Sequence, residues 1–265
     1  MDIKRKISEF KNQFREIDEQ QILREVVRDY STGGSYEKTA NINQNLNPDE
    51  EKVIDFYFKN KKGKVLALGC GGGREVFAIK KKGFDILGID ISERLIESAR
   101  VYAKQNKIDI EFYTKDIMEL EFLKPKSFDY VIMFKSVIGN IKERVRLLRK
   151  IKKVMKPEGI LIFTTYYRYS NIKRAISLAI LDTFKFFFNI FKRKKLEYSS
   201  WRTNYHCYVH MPSVRLTSRE IKKAKLKLIK YFYSKSMTYM FFIVKNKDLK
   251  TSKIKDFWVQ KIQTK

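Results

Sequence analysis

The chain has 265 residues, of which 43% are hydrophobic, 14% aromatic and 33% charged, enough to bury the core of one sizeable domain. Its 11 glycines and 4 prolines are too few for collagen or a low-complexity chain, and 2 cysteines, Cys70 and Cys207, cannot form a disulfide framework. These features favour a reducing, cytoplasmic setting, and no apolar run is long and clean enough to predict a signal peptide or a transmembrane helix.

Positive charge is concentrated late in the chain. The formal net charge is +27, and residues 161–265 carry 24 Lys and Arg against 5 Asp and Glu, a net of +19. A bias toward lysine would not remove acidic residues from one segment, so the asymmetry needs its own explanation. Solubility is one explanation, and a basic face for RNA, an acidic membrane surface or an anionic substrate is the other.

The N-terminal segment, residues 1–46, is predicted to be a helical lid or cap. Its first apolar residues recur at spacings of three and four, which is typical of an amphipathic helix. These residues are Ile3, Ile7, Phe10, Phe14 and Ile17. Tyr30 and Tyr36 then flank a glycine pair that could hinge the lid.

The rest, residues 47–265, is predicted to be one α/β domain. Asn47, Pro48 and the acids after them form a helix start, and that helix extends to about residue 60. Strands are then predicted at residues 65–68, 86–89, 110–113, 130–134 and 160–163, and helices at residues 75–82, 93–105 and 142–155. This alternation predicts a parallel sheet with helices on both faces.

The pattern changes after the fifth strand. A very apolar helix is predicted at residues 172–191, within an insertion at 168–200, and the basic cluster Lys192-Arg193-Lys194-Lys195 follows it. The helix could be a lid over an apolar acceptor, a homodimer contact or a membrane-surface element; the first two are favoured, because interfacial helices usually have a cleaner polar face. Segments 226–233 and 237–244, within residues 205–247, predict an antiparallel hairpin.

A glycine-rich turn between the first strand and its helix is the strongest chemical signal. Gly69, Gly71 and Gly73 let a ligand approach the backbone and face the amides of a helix start. A dinucleotide fingerprint would require glycine where the chain has Arg74. Asp90 ends the second strand, where nucleotide-binding folds place a ribose-binding acid.

These segments resemble the motifs of class I S-adenosylmethionine-dependent methyltransferases, in the family's order. Residues 65–73 are similar to the first motif, 88–92 to the second, 115–117 to the third and 128–132 to the fourth. Residues 148–160 are similar to the following helix, its Lys-Pro-Gly-Gly turn and the fifth strand. The resemblance implies a doubly wound, mostly parallel, seven-stranded Rossmann-like sheet that ends in an antiparallel hairpin strand, with residues 47–166 as the cofactor half.

The resemblance also implies site residues for S-adenosylmethionine and its product S-adenosylhomocysteine. The glycine turn would line the methionine part and the sugar, Asp90 would accept the ribose hydroxyls, and Asp116 would accept from the adenine amine. The implied cofactor residues are Gly69, Cys70, Gly71, Gly73, Asp90, Ile91, Asp116, Ile117, Phe134 and Lys135. Ala67 stands where the family usually has an acid, so a non-catalytic cofactor binder stays an alternative.

A base is needed only if the acceptor atom carries a proton, and no metal site is predicted. Alternation places His206 and His210 on one face of an extended segment, and one of them is a candidate base, with packing as the alternative. The predicted function is methyl transfer to O or N of a small molecule. The alternative is an RNA methyltransferase that uses the basic C-terminal third.

Overall fold

A computed structural model describes Gln13 and residues 19–31, 45–59, 63–169, 172–191, 200–202 and 208–246. Several predictions from the sequence fall outside these residues. They are the helix at residues 3–17, the hinge with Tyr36, the basic cluster at 192–195, and His206 and Cys207.

Seven α-helices and one 3₁₀ helix are present among the described residues. The helices are α1 (Glu19–Ser31), α2 (Pro48–Tyr57), α3 (Arg74–Lys81), α4 (Glu93–Gln105), α5 (Arg144–Val154), α6 (Ile172–Phe191) and α7 (Val214–Lys223), and the 3₁₀ helix is Val137–Asn140. The strands are β1 (Lys64–Leu68), β2 (Asp85–Asp90), β3 (Glu111–Thr114), β4 (Phe128–Met133), β5 (Met155–Tyr166), β6 (Ser200–Arg202), β7 (Tyr208–His210), β8 (Leu226–Tyr233) and β9 (Tyr239–Asn246).

The main sheet has seven strands in the order β3-β2-β1-β4-β5-β9-β8. The first five are parallel to their neighbours, and β9 lies antiparallel between β5 and β8. The predicted doubly wound sheet with its antiparallel hairpin is therefore confirmed. Strands β6 and β7 pair separately in an antiparallel ladder.

Strand β1 shows why the sheet is buried on both faces. Successive side chains of a strand point to opposite faces. Val65 and Ala67 lie in one apolar cluster and Leu66 and Leu68 in the other. All four are at most 1% exposed, so a continuous apolar run, rather than an alternating one, marks this central parallel strand.

Some boundaries differ from those predicted. Strand β5 begins at Met155 instead of residue 160, with a register irregularity opposite it between Phe128 and Tyr130. The second hairpin strand begins at Tyr239 instead of residue 237, because Met237 has a left-handed φ of +52° inside the turn. Strand β7 lies within the extended segment predicted around His206 and His210, whereas β6 and α7 were not predicted. A three-residue strand such as β6 is too short to show a period.

Candidate functional site

The glycine-rich turn runs from the end of β1 to the start of α3. Gly69, Gly71 and Gly73 have φ values of +67°, +52° and +88°, a region that side chains disfavour. The amides of Gly69 and Cys70 donate to the carbonyl oxygen of Ile89 at 2.8 and 3.1 Å. These bonds hold the turn against the carboxyl end of β2, beside Asp90.

The Asp90 carboxylate is buried at this edge and is held by two backbone amides. It is 6% exposed; its Oδ2 accepts from the Gly71 amide at 2.7 Å and its Oδ1 from the Ser92 amide at 2.9 Å. Burial raises the pKa of Asp90, and these two amides oppose that rise. Each carboxylate oxygen has a further lone pair, so the group can still accept from a ligand's hydroxyls.

A cavity of about 60 Å³, partly open to solvent, lies beside Asp90. It brings together residues predicted from three separate loops: Gly69, Asp90, Ile91, Asp116 and Ile117. Five further lining residues were not predicted. They are Ile22 and Val26 from α1, and Val137, Asn140 and Ile141 from the segment after β4.

Asp116 also lines this cavity. It is half-buried, and its Oδ1 accepts from the Met118 amide at 2.8 Å. Burial raises the pKa of Asp116. Ile117 beside it is 6% exposed, so a planar group could pack on an aliphatic side chain while an amine donates to the carboxylate.

The other five predicted cofactor residues, Cys70, Gly71, Gly73, Phe134 and Lys135, are absent from the cavity lining. The Cys70 thiol is buried against Gly88, and burial raises its pKa, so it is an inert side chain. Gly73 packs against the ring of Phe77, where an added Cβ would come within 2.8 Å. Phe134 is 1% exposed, in the core.

Lys135 and Ser136 form a left-handed turn between β4 and the 3₁₀ helix. Their φ values are +53° and +61°. The Ser136 amide donates to Thr164 Oγ1 at 3.0 Å, and Ser136 Oγ accepts from the Tyr166 amide at 3.1 Å. Lys135 is half-buried, with Nζ 5.8 Å above the ring of Tyr239. The turn thereby fixes the helix that carries the cavity wall.

A buried ion pair anchors the glycine turn to α2. Arg74 donates to both carboxylate oxygens of Glu50, at 2.7 and 3.1 Å, and to the Asn45 carbonyl oxygen at 3.1 Å. The two charged side chains are 2% and 3% exposed. In the sequence Arg74 serves only to exclude a dinucleotide fingerprint, and its partner is not evident because it lies 24 positions earlier in the chain.

Ala67 is buried in the core at 1% exposure, opposite Gly88 and Ile132 in the sheet. The buried acid that follows the glycine turn is Glu75, whose Oε2 is 3.6 Å from Arg74 Nε. Burial raises the pKa of Glu75 from 4.5 to about 7, although Arg74 opposes the shift. Glu75 therefore holds a proton more tightly in the folded chain than in the unfolded one.

This shift predicts that Glu75 destabilises the fold as the pH rises. Between pH 4.5 and about 7 the folded state binds the proton that the unfolded state has lost, so the free energy of unfolding falls by up to about 3 kcal/mol. Glu75→Gln should remove this loss. Urea unfolding would measure the free energy of unfolding of the variant minus that of wild type, and this difference should be more favourable to the variant at pH 8 than at pH 5. An equal difference at the two pH values would contradict the raised pKa of Glu75.

Gly69 is predicted to tolerate no side chain. A Cβ there would lie 2.6 Å from both Val137 methyl groups, and Val137 lines the cavity. Gly69→Ala should lower the affinity for S-adenosylhomocysteine in calorimetric titration by at least about tenfold. Gly83→Ala is the matched control, because Gly83 has a φ of +91° but open space around it. It should cost about 1–2 kcal/mol of stability and leave the affinity unchanged; equal affinity losses would refute the steric argument.

Of the two histidines, the described residues contain His210, in β7. It is 0% exposed, and its backbone lies against Gly139 of the 3₁₀ helix. Burial, together with the positive charges of Arg144, Lys185 and Arg168, lowers the pKa of His210 well below 6.5. The imidazole is therefore neutral near pH 7 and a weak base, and it does not line the cavity.

Comparison with known proteins gives consistent relatives. A family model described as "Methyltransferase domain" matches residues 59–226. The ubiquinone biosynthesis O-methyltransferase of Rickettsia akari is 32% identical over 134 residues, which cover 49% of this chain and 50% of that protein. This chain therefore spans about half the length of the curated relatives it matches.

Two solved structures illustrate the fold. One is a 1,6-didemethyltoxoflavin-N1-methyltransferase of Burkholderia thailandensis with bound 1,6-didemethyltoxoflavin and S-adenosylhomocysteine. It superposes with a TM-score of 0.66 at 10% sequence identity, and the match covers 88% of this chain and 92% of that one. The other is a SAM-dependent methyltransferase of Methanosarcina mazei, with a TM-score of 0.59 at 20% identity, covering 77% of this chain and 99% of that one. At these identities the likeness establishes the fold.

Proposed function

The chain belongs to the methyltransferase-domain family, whose cofactor is S-adenosylmethionine, and we propose that it transfers a methyl group to an oxygen or nitrogen atom of a small-molecule acceptor. The observation that carries the proposal is the single cavity that joins the glycine turn, Asp90 and Asp116 at the carboxyl edge of the sheet. In open parallel sheets this is the edge that binds ligands.

The cavity residues fit an adenosyl group. Asp90 retains acceptor capacity on both oxygens for a ribose diol, and Gly69 brings bare backbone to the cavity wall. Asp116 would accept from the adenine amine, with Ile91 and Ile117 against the ring faces. The fit does not use Ala67, because its side chain is enclosed in the core.

S-adenosylmethionine supplies a methyl group on an already activated sulfonium. The protein has to align the acceptor with that methyl group and exclude water. Ile22 and Val26 of α1 place apolar side chains over the cavity, in support of the proposed role of residues 1–46 as a cap on the domain formed by residues 47–265. The left-handed turn at Lys135 and Ser136 holds the 3₁₀ helix that contributes Val137 and Asn140 to the cavity lining.

A general base is needed only for an acceptor that is protonated at neutral pH. His206 and His210 remain the proposed candidates for this base. The lowered pKa of His210 is a disadvantage for this role, because it makes the imidazole a weaker base than an ordinary histidine. His206→Ala and His210→Ala are expected to slow turnover of such an acceptor. Wild-type turnover in both variants would end this hypothesis.

The acceptor class is supported by the curated relatives, whose names specify a ubiquinone-pathway O-methyltransferase. The competing class is RNA, which the net charge of +19 on residues 161–265 favours. To distinguish them, the protein would be incubated with methyl-labelled S-adenosylmethionine and either a metabolite extract or total RNA. Label in the low-molecular-weight fraction is expected. Label in RNA would overturn the proposed acceptor class, and cofactor binding without label in either would indicate a non-catalytic binder.

A further inference from the structure

The solvent-facing side of α6 is apolar. Eight large apolar side chains of this helix are between 46% and 74% exposed, at spacings that place them on one side. They form what we call the exposed apolar face: Ile172, Ile176, Ile180, Phe184, Phe186, Phe187, Ile190 and Phe191. A surface helix normally presents polar residues to water, and exposed apolar patches of this kind mark interaction sites.

Two charged residues of α6 lie on the opposite side, against the protein, whereas Lys173, Ser177 and Thr183 are exposed. Lys185 is 2% exposed, and its Nζ donates to the carbonyl oxygen and to Oγ of Ser200, both at 2.8 Å. Asp182 pairs with Arg168 at 3.2 Å. Leu178 is buried against Val209. The helix is thus attached to the rest of the fold through Leu178, Asp182 and Lys185, and the side chains of the exposed apolar face lie on its other side.

The charge of the sequence that contains α6 indicates what the partner of this face is. Four consecutive basic residues, 192–195, follow Phe191 directly in the sequence, and residues 161–265 have a net charge of +19. A second copy of a chain with a net charge of +27 would be repelled. An anionic lipid surface is attracted, by about 1 kcal/mol for each Lys or Arg near it.

We propose that the exposed apolar face of α6 docks in the plane of an anionic lipid bilayer. None of the helices in the described part of the chain could span a membrane. The sequence alone favours a lid or a dimer contact, because α6 lacks a clean polar face. In the structure two of its charged residues, Asp182 and Lys185, are bound to the rest of the fold instead of facing solvent.

Docking would bring the proposed site close to the bilayer. Helix α6 follows β5, whose carboxyl end lies at the same edge of the sheet as the cavity. Tyr166, the last residue of β5, packs against the cluster that holds Leu178. The proposal goes beyond the proposed function and does not depend on it, because lipid binding is measured without any methyl acceptor.

The test is flotation of the full chain with vesicles of phosphatidylcholine containing about 30 mol% phosphatidylglycerol, beside vesicles of phosphatidylcholine alone. Wild type should float with the anionic vesicles, and less so at high salt. The combined variant Ile176→Ser, Ile180→Ser, Phe187→Ser should reduce the partition coefficient at least about tenfold. Val101→Ser, which removes a 46% exposed apolar side chain from α4, is the matched control and should float like wild type.

Thermal unfolding of each variant separates loss of docking from loss of folding. Three outcomes would overturn the proposal. The first is wild type that does not float. The second is a triple variant that folds and floats like wild type, which would mean simple adsorption through the lysines. The third is a wild-type dimer that the triple variant converts to a monomer, which would assign the face to a second copy.

Discussion

Asp90→Ala is expected to lower the affinity for S-adenosylhomocysteine by at least about 100-fold in calorimetric titration. The carboxylate would accept two hydroxyl donors, and hydrogen bonds to a charged group contribute about 1.5–3 kcal/mol each. Its removal also takes the acceptors away from the Gly71 and Ser92 amides, which hold the turn in place. Affinity should therefore fall through lost contacts and a loosened turn together.

Two further variants make this result specific. Asp85→Ala removes an exposed carboxylate from the other end of the same strand and should leave the affinity unchanged. Asp90→Asn keeps the shape but loses the charge and one acceptor, so its affinity should lie between wild type and Asp90→Ala. Wild-type affinity in Asp90→Ala would exclude the cavity as the cofactor site, and equal losses in Asp85→Ala would show a general effect of charge.

Glu50→Ala is expected to lower the free energy of unfolding by about 3–5 kcal/mol, because it leaves the Arg74 guanidinium buried without its main partner. The variant also removes the acceptor for the Asn47 amide at the start of α2, at 2.9 Å. Denaturant unfolding would measure the loss. Cofactor affinity should fall as well, since Arg74 directly follows the glycine turn.

Lys82 provides the matched control for this ion pair. Its Nζ contacts Glu51 at 3.0 Å and Asp55 at 2.9 Å, also bridging α2 to the end of α3, but both acids are more than half exposed. Lys82→Ala should cost less than about 1 kcal/mol, because solvent screens exposed pairs. If the two variants were equally destabilised, burial would not be the reason for the effect of Glu50.

Local patterns predicted much of the fold. The strands of the parallel sheet, the turn at Gly69 and the acid at Asp90 are each encoded within a few residues, because strand period and glycine placement act locally. Since carboxyl ends of parallel strands meet at one edge, the cluster of Asp90 with Asp116 could be predicted as well.

What the sequence concealed depends on contacts between distant segments. Ile22 and Val26 appear as an ordinary apolar pair one turn apart, and only the packing of α1 places them at the cavity. The partner of Arg74 lies in a different helix. The burial of His210 likewise depends on the 3₁₀ helix and α6, which no local pattern reveals.

The turn at Lys135 and Ser136 lowers the stability of the fold but fixes the position of the helix that follows it. Left-handed backbone costs a residue with a side chain about 1–2 kcal/mol, and the chain keeps two such residues in succession. Glycine at position 135 would relieve part of that cost. It would also make the turn more flexible and so hold the helix that carries Val137 and Asn140 less firmly. Laboratory evolution for heat resistance alone should therefore select glycine at this position, whereas evolution for turnover should restore lysine.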